Sequence, residues 1–384
     1  MNHLPEANSM SSGIENGGAL PRLDWIVLPM IGILTMVVLM ISGEVTARIF
    51  WPAQQKDACL IDDPTQGAHY RPNCKSTLKA AEGSWVDNSY NECGFRTRES
   101  CGPRPPGTLR VAVLGSSYSF GYLVPYESAY TTMAGEALSR QCKRRVEFQN
   151  LGAIGVDLRQ AYGRADEALA LKPDVLLLVI APFDLSRLPS LLSSTGANPK
   201  VGTPKKLQTA NWLLEDVVAP LRSSRMFTVL QHYMYRKAAT YADYYLLGGD
   251  TVDYLKTPFN ENWQQRFRAL DTILAQTAQK AHAASVPVAI MIGPSAAQAA
   301  LLNLPPRPGI APKAVEAEIS GIASKNGIMV IDPLPGFEGR SDVMSAFYAV
   351  DGHPGPEAQR IFAGTVEKTL LLAGYPAFSS CTGR

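Results

Sequence analysis

The chain has 384 residues, 46% of them hydrophobic and 18% charged, with 36 Lys and Arg against 34 Asp and Glu and a formal net charge of +2. That length holds one large domain plus extra segments with an ample core. No Lys/Arg block stands out, so nothing points to a nucleic-acid partner. No phosphate-cradling or metal-ligand pattern occurs, and neither a metal nor another cofactor is expected.

Residues 1–24 are polar and rich in Gly, Ser and Asn, the composition of a disordered tail, here on the cytoplasmic side. Residues 25–43, Trp25 to Gly43, form an uncharged apolar run between Asp24 and Glu44. That is about the length a bilayer-spanning helix requires. A cleaved signal peptide is the competing reading, with Val45-Thr46-Ala47 as its small-residue site. The long polar tail ahead of the run and the acidic Asp24 at its flank favour an uncleaved anchor. Arg22 precedes the run and Arg48 and Lys56 follow it, so basic residues do not orient it.

Orientation comes from the cysteines. All six, Cys59, Cys74, Cys93, Cys101, Cys142 and Cys381, follow the apolar run, and none forms a Cys-x-x-Cys pair. An even set on one side of a membrane reads as disulfides in an oxidising compartment, with buried free thiols as the alternative. The expected topology is single-pass in the cytoplasmic (inner) membrane, with the remainder of the chain in the periplasm or equivalent space. A local pairing, Cys59–Cys74, Cys93–Cys101 and Cys142–Cys381, is preferred among the many that six cysteines allow. Residues 44–107 carry four of the cysteines and end in the Pro-rich Gly102 to Gly107; they read as an irregular collar.

From residue 109 short apolar strands alternate with helical patterns. Strands are predicted near 109–114, 146–151, 174–181, 286–292 and 328–332, and helices near 126–140, 157–171, 261–284, 312–326 and 356–373. Fully apolar strands such as Val175 to Ile180 suit a parallel sheet covered on both faces. The expected fold is therefore α/β: a doubly wound three-layer α/β/α domain with a five-stranded parallel sheet, over residues 108–375, followed by a tail at 376–384. Residues 185–260 interrupt the rhythm as an insertion, with helical patterns near 207–222 and 224–240 and tyrosines at 233, 235, 241, 244 and 245. Such an insertion would overhang the carboxyl edge of the sheet. Its tyrosines, Tyr233 among them, suit stacking against a sugar or acyl chain, or packing of the insertion onto the body.

Candidate chemistry sits at both ends of this domain. Gly115-Ser116-Ser117-Tyr118-Ser119-Phe120-Gly121 joins the first apolar strand to a helical stretch. This arrangement puts a serine at the carboxyl edge of the sheet, near free helix amides that can hold an oxyanion. A turn that merely caps the helix is the competing reading. A serine nucleophile needs a base, and the base an acid. Of five histidines, only His353, in Asp351-Gly352-His353-Pro354, has a carboxylate on the same turn and a place near a sheet edge.

These blocks together resemble the SGNH (GDSL-like) hydrolase family over residues 109–373. Ser117 matches the first-block serine, Gly152 in Asn150-Leu151-Gly152-Ala153-Ile154-Gly155 the second-block glycine, and Asp351 and His353 the fourth block. Asn91-Glu92-Cys93-Gly94-Phe95-Arg96 looks like the lead-in of membrane-anchored members. Ser116 stands in place of the first-block aspartate, and Phe183, in Ala181-Pro182-Phe183-Asp184, in place of the third-block asparagine. The resemblance implies a membrane-anchored serine esterase or O-acyltransferase, acting on acyl (acetyl above all) esters of a carbohydrate or lipid. Ser117, His353 and Asp351 would form its triad, the Ser117 and Gly152 amides its oxyanion hole, and Ser116, Asn150, Phe183, Asp184 and Tyr233 candidate substrate contacts. The alternative is a binding or scaffold protein on the same fold, within envelope polysaccharide assembly.

Overall fold

A computed structural model describes residues 23–51, 54–63, 67–188, 224–372 and 375–381. Residues 1–22 of the tail predicted over 1–24 and the helical pattern at 207–222 lie outside them. The chain divides into two units, residues 1–50 and 51–384.

In the first unit, helix α1 (Asp24–Phe50) has 27 residues, none of them buried. It is the one helix among the described residues long and apolar enough to cross a membrane. It runs past the predicted end at Gly43 to Phe50, and in this extension Glu44 and Arg48 pair one turn apart, Arg48 Nε donating to Glu44 at 2.7 Å.

In the second unit, the collar departs from the irregular chain expected of it. It forms two antiparallel ribbons, β1 (Leu60–Asp63) with β2 (Gly67–Tyr70), and β3 (Lys75–Leu78) with β4 (Val86–Ser89). Cys59–Cys74 and Cys93–Cys101 bridge it, and Cys142–Cys381 ties the end of the chain back to the domain. Its apolar side chains join the main core: Tyr70 stacks on Tyr90 at 4.3 Å and on Phe120 at 5.1 Å. Three buried rings provide the apolar contact that the collar's short strands lack.

The domain is built on β5 (Leu109–Leu114), β6 (Val146–Asn150), β7 (Val175–Ile180), β8 (Val288–Ile292) and β9 (Met329–Ile331). They form one parallel sheet in the order β6-β5-β7-β8-β9. Every residue of β5 and β7 is buried, as strands covered on both faces must be. The strand order reverses between β5 and β7, so the crevice for a ligand opens where their carboxyl ends emerge.

Helices cover the sheet: α2 (Ser117–Phe120), α3 (Tyr130–Cys142), α4 (Leu158–Gly163), α5 (Ala165–Ala170), α6 (Pro182–Ser186), α7 (Arg225–Tyr235), α8 (Ala238–Tyr245), α9 (Glu261–Ala283), α10 (Ala296–Leu302), α11 (Ala314–Lys325) and α12 (Pro356–Leu372). The helix expected over 157–171 is two, broken at Arg164, whose guanidinium reaches the Leu151 carbonyl at 2.6 Å and Glu167. The pattern at 224–240 likewise resolves into α7 and α8, parted at the extended Lys237. Helices α2, α6 and α10 are too short for a periodic signal.

Candidate active site

The loop after β5 reaches the crevice first. Ser116 is extended and precedes α2, so Ser117 opens that helix. The first turn of any helix has N–H groups without intrahelical acceptors, and here the first such bond is Phe120 N–H to Ser116. The Ser117 amide and hydroxyl thus emerge together at a positively polarised helix start.

The loop after β6 packs directly beneath. Gly152 has to be glycine: a Cβ there would lie 2.1 Å from Ser119 Oγ and 2.7 Å from the Phe120 nitrogen. Asn150 locks the two loops together, its Nδ2 donating to the Ser119 carbonyl at 2.8 Å and its Oδ1 accepting the Gly152 N–H at 3.0 Å. This corrects two expectations. Asn150 is 2 % exposed with both ends of its amide engaged by backbone, so it faces no substrate. The Gly152 N–H, expected as an oxyanion donor, is already given to Asn150.

The loop after β7 supplies the third wall. Asp184 is buried and accepts the Ala181 N–H at 2.9 Å, capping α6 rather than facing the crevice. Burial, opposed mainly by that Ala181 bond, pushes its carboxyl above the ordinary range. Ser116 is buried beside it, and its hydroxyl makes no hydrogen bond of full geometry. Phe183 is half-buried, with the Arg187 guanidinium 4.5 Å from its ring centre. Tyr233 is exposed on α7, its ring edge-on to His232. Tyr241 of the same insertion comes up to the opposite wall, 3.3 Å from where a Gly352 Cβ would stand.

That wall is the turn from Tyr348 to His353, closed by Gly352 N–H to Tyr348 O and Tyr348 N–H to His353 O. It carries an acid and a base two residues apart. His353 Nδ1 bonds to Asp351 Oδ1, and His353 Nε2 lies 2.7 Å from Ser117 Oγ. A ring nitrogen facing a carboxylate carries the proton, which leaves Nε2 as the acceptor for the Ser117 hydroxyl. The His353 side chain is 19 % exposed, and Tyr122 packs edge-on against it at 4.8 Å. Burial, and then the Asp351 charge, push the Tyr122 phenol up to about 12, so it stays a neutral hydroxyl. Ser117, His353 and Asp351 therefore stand in one hydrogen-bonded line at the crevice.

The solved structures similar to this chain match it only in part. Solved structures similar to it include TesA (16% identity, TM-score 0.38, covering 68% of this chain and 97% of that one). A member of the lipolytic G-D-S-L family from Veillonella parvula is 12% identical at a TM-score of 0.38, covering 68% of this chain and 97% of that one. The lipase/acylhydrolase from Enterococcus faecalis is 11% identical at a TM-score of 0.33, covering 68% and 95%. No family model and no curated protein matches the sequence.

Two residues at the site have roles that the sequence does not display. Arg96 ends a motif noted above, but its task appears only in the structure. Its guanidinium is buried and donates to Asn88 and to the carbonyls of Phe120, Gly121 and Val124, holding the end of α2. Glu82, a lone acid in Ala80-Ala81-Glu82-Gly83, is fully buried against the Tyr348–His353 turn.

Proposed function

We propose that this chain is a serine-dependent acyl-ester hydrolase or O-acyltransferase of the SGNH type, held at a membrane by α1. The observation that carries the reading is the line Ser117 Oγ–His353 Nε2, 2.7 Å long, with His353 Nδ1 on Asp351. In the proposed reaction His353 takes the hydroxyl proton as Ser117 Oγ bonds to the ester carbonyl carbon. The Ser117 amide stabilises the oxyanion; collapse breaks the bond to the leaving oxygen, which receives the proton from His353. Water, or a sugar hydroxyl, then gives its proton to His353 as its oxygen bonds to the acyl carbon; collapse breaks the acyl–Ser117 bond, releasing the acid or the new ester, and His353 returns the proton to Ser117 Oγ. The substrate class we infer is an acylated, above all acetylated, carbohydrate or lipid. Three disulfides favour placing residues 51–384 in an oxidising space such as the periplasm.

The test is hydrolysis of p-nitrophenyl acetate and of acetylated sugars by the full chain in detergent. Ser117→Ala and His353→Ala should each lower kcat by at least about 1,000-fold with an unchanged melting temperature. Ser116→Ala should leave most of the rate. Activity that survives Ser117→Ala overturns the reading.

A second reading, a non-catalytic binding or scaffold protein in envelope polysaccharide assembly, draws on the Gly152 amide being held by Asn150 and on Phe183 at the third block. A fluorophosphonate probe separates the two. Labelling that vanishes in Ser117→Ala favours the enzyme, and no labelling of the wild type favours the scaffold.

A further inference from the structure

The acid and the base of the candidate triad share one short turn; the Tyr348 hydroxyl ties its start to the Leu123 carbonyl at 2.6 Å, and one carboxylate from outside accepts two of its N–H groups. Glu82 lies between β3 and β4 and is 0 % exposed. Its Oε1 accepts two consecutive N–H groups, from Val350 at 2.6 Å and Asp351 at 2.8 Å. Its Oε2 lies 2.6 Å from Nδ1 of His232, on α7. The edge of the Trp51 ring packs against His232 at 5.3 Å, closing that side. A buried carboxylate can only accept, and it persists where donors surround it. Here one donor comes from the insertion and two from the residue that orients the base and its neighbour.

We propose that Glu82 is a positioning residue for the Asp351–His353 pair, and that His232 of α7 holds its second oxygen in place. The proposal rests on the triad reading above. Removing Glu82 leaves two adjacent N–H groups of the turn without an acceptor. The turn then rotates to find new partners, and the Asp351 carboxylate moves with its own N–H. His353 loses alignment toward Ser117, while the crevice walls formed by the loops after β5 and β7 are untouched. The loss should therefore fall on kcat and spare KM. His232 brings the insertion into the same arrangement, so α7 is coupled to the base through one carboxylate.

The experiment compares wild type with Glu82→Ala, Glu82→Gln and His232→Ala, as full chains in detergent. It measures kcat and KM on p-nitrophenyl acetate, the rate of Ser117 labelling by a fluorophosphonate, and amide hydrogen exchange of the 348–353 segment. For Glu82→Ala we expect kcat and labelling to fall about 30-fold with KM within about twofold, the scale of a sub-ångström misplacement. Exchange of the Val350 and Asp351 amides should rise. Glu82→Gln keeps an acceptor oxygen for both N–H groups and should recover to within about threefold of wild type. His232→Ala should fall between the two.

A Glu82→Ala protein that labels at the wild-type rate with unchanged exchange at 348–353 overturns the proposal. So does a Glu82→Gln protein as impaired as Glu82→Ala. If Glu82→Ala does not fold, His232→Ala and Glu82→Gln carry the test: unchanged exchange and labelling in His232→Ala, or loss without recovery in Glu82→Gln, are equally decisive. A wild type that labels, with Glu82→Ala indistinguishable from it, defeats this inference alone. A wild type whose labelling does not depend on Ser117 defeats the triad reading and the inference with it.

Discussion

The guanidinium of Arg96 donates to the carbonyl of Phe120 at 2.8 Å, joining the collar to the last residue of the helix that begins with Ser117. The same group satisfies Gly121, Val124 and Asn88. A helix of four residues ends in carbonyls without partners, and Arg96 supplies donors to this end from a segment outside the sheet.

Arg96→Met should therefore leave several buried acceptors unmet and cost about 3 kcal/mol of stability. Arg96→Lys, with fewer donors and no planar fork, should recover only part of it. Urea denaturation of the full chain in detergent reads both. A loss near zero for Arg96→Met would show that α2 holds its own end.

Gly152→Ala introduces a Cβ 2.1 Å from Ser119 Oγ and 2.7 Å from the Phe120 nitrogen. The clash is with backbone as well as side chain, so α2 has to shift. We expect about 1–3 kcal/mol of destabilisation from overpacking. A 1 Å displacement of the nucleophile is worth about 100-fold in rate. Melting temperature and kcat on p-nitrophenyl acetate check this; a variant with wild-type kcat would show that the loop after β6 does not position Ser117.

The cysteine pairing preferred from the sequence is the one the structure has. Thiol titration of the unreduced, denatured protein from its native host should find no free cysteine. Cys142–Cys381 closes a span of 239 residues and Cys59–Cys74 one of 15. In the chain-entropy account these are worth about 5 and about 3 kcal/mol. Cys142→Ser with Cys381→Ser should therefore lower the denaturation midpoint more than Cys59→Ser with Cys74→Ser. The reverse order would mean that the collar depends on its bridge more than on the rings of Tyr70 and Tyr90.

Glu316 gives a pH dependence with a definite sign. Burial is the main cause that pushes its carboxyl up to about 8, and Asp332 adds to it. The native state then holds a proton the unfolded chain has lost, from the ordinary carboxyl range up to about pH 8. Stability falls as pH rises through that window, and the loss is complete above it. Glu316→Gln keeps an oxygen for Gln298, the partner of Glu316, and removes the titration. Its melting temperature should match wild type near pH 4, exceed it increasingly up to about pH 8 and keep a constant lead above that. Parallel pH profiles would refute the assignment.

What the sequence displays of this site is what lies close together along the chain. Ser117 follows an apolar strand, Gly152 follows another, and Asp351 and His353 share one turn, so each block carries its own local mark. Glu82 has no such mark: its partners lie 150 and 268 residues away, and a single acid among alanines and glycine reads as surface. Asn150 shows the opposite error. A polar residue at a strand end suggests a substrate contact, yet the backbone of two neighbouring loops consumes both ends of its amide. Strands β7, β8 and β9 were legible because each is apolar throughout. The breaks at Arg164 and Lys237 were not, since they follow from contacts and backbone geometry that no residue pattern announces.

The separation of 236 positions between Ser117 and His353 also governs when the site first exists during synthesis. A ribosome adds about 5–20 residues per second. The nucleophile loop, the collar and most of the sheet therefore emerge well before the turn that carries the base. Until residue 353 has been released the nascent chain has a serine without a proton acceptor, and Cys142 waits longer still for Cys381. Assembly of the reactive centre in this sense follows the synthesis of the sheet that carries it.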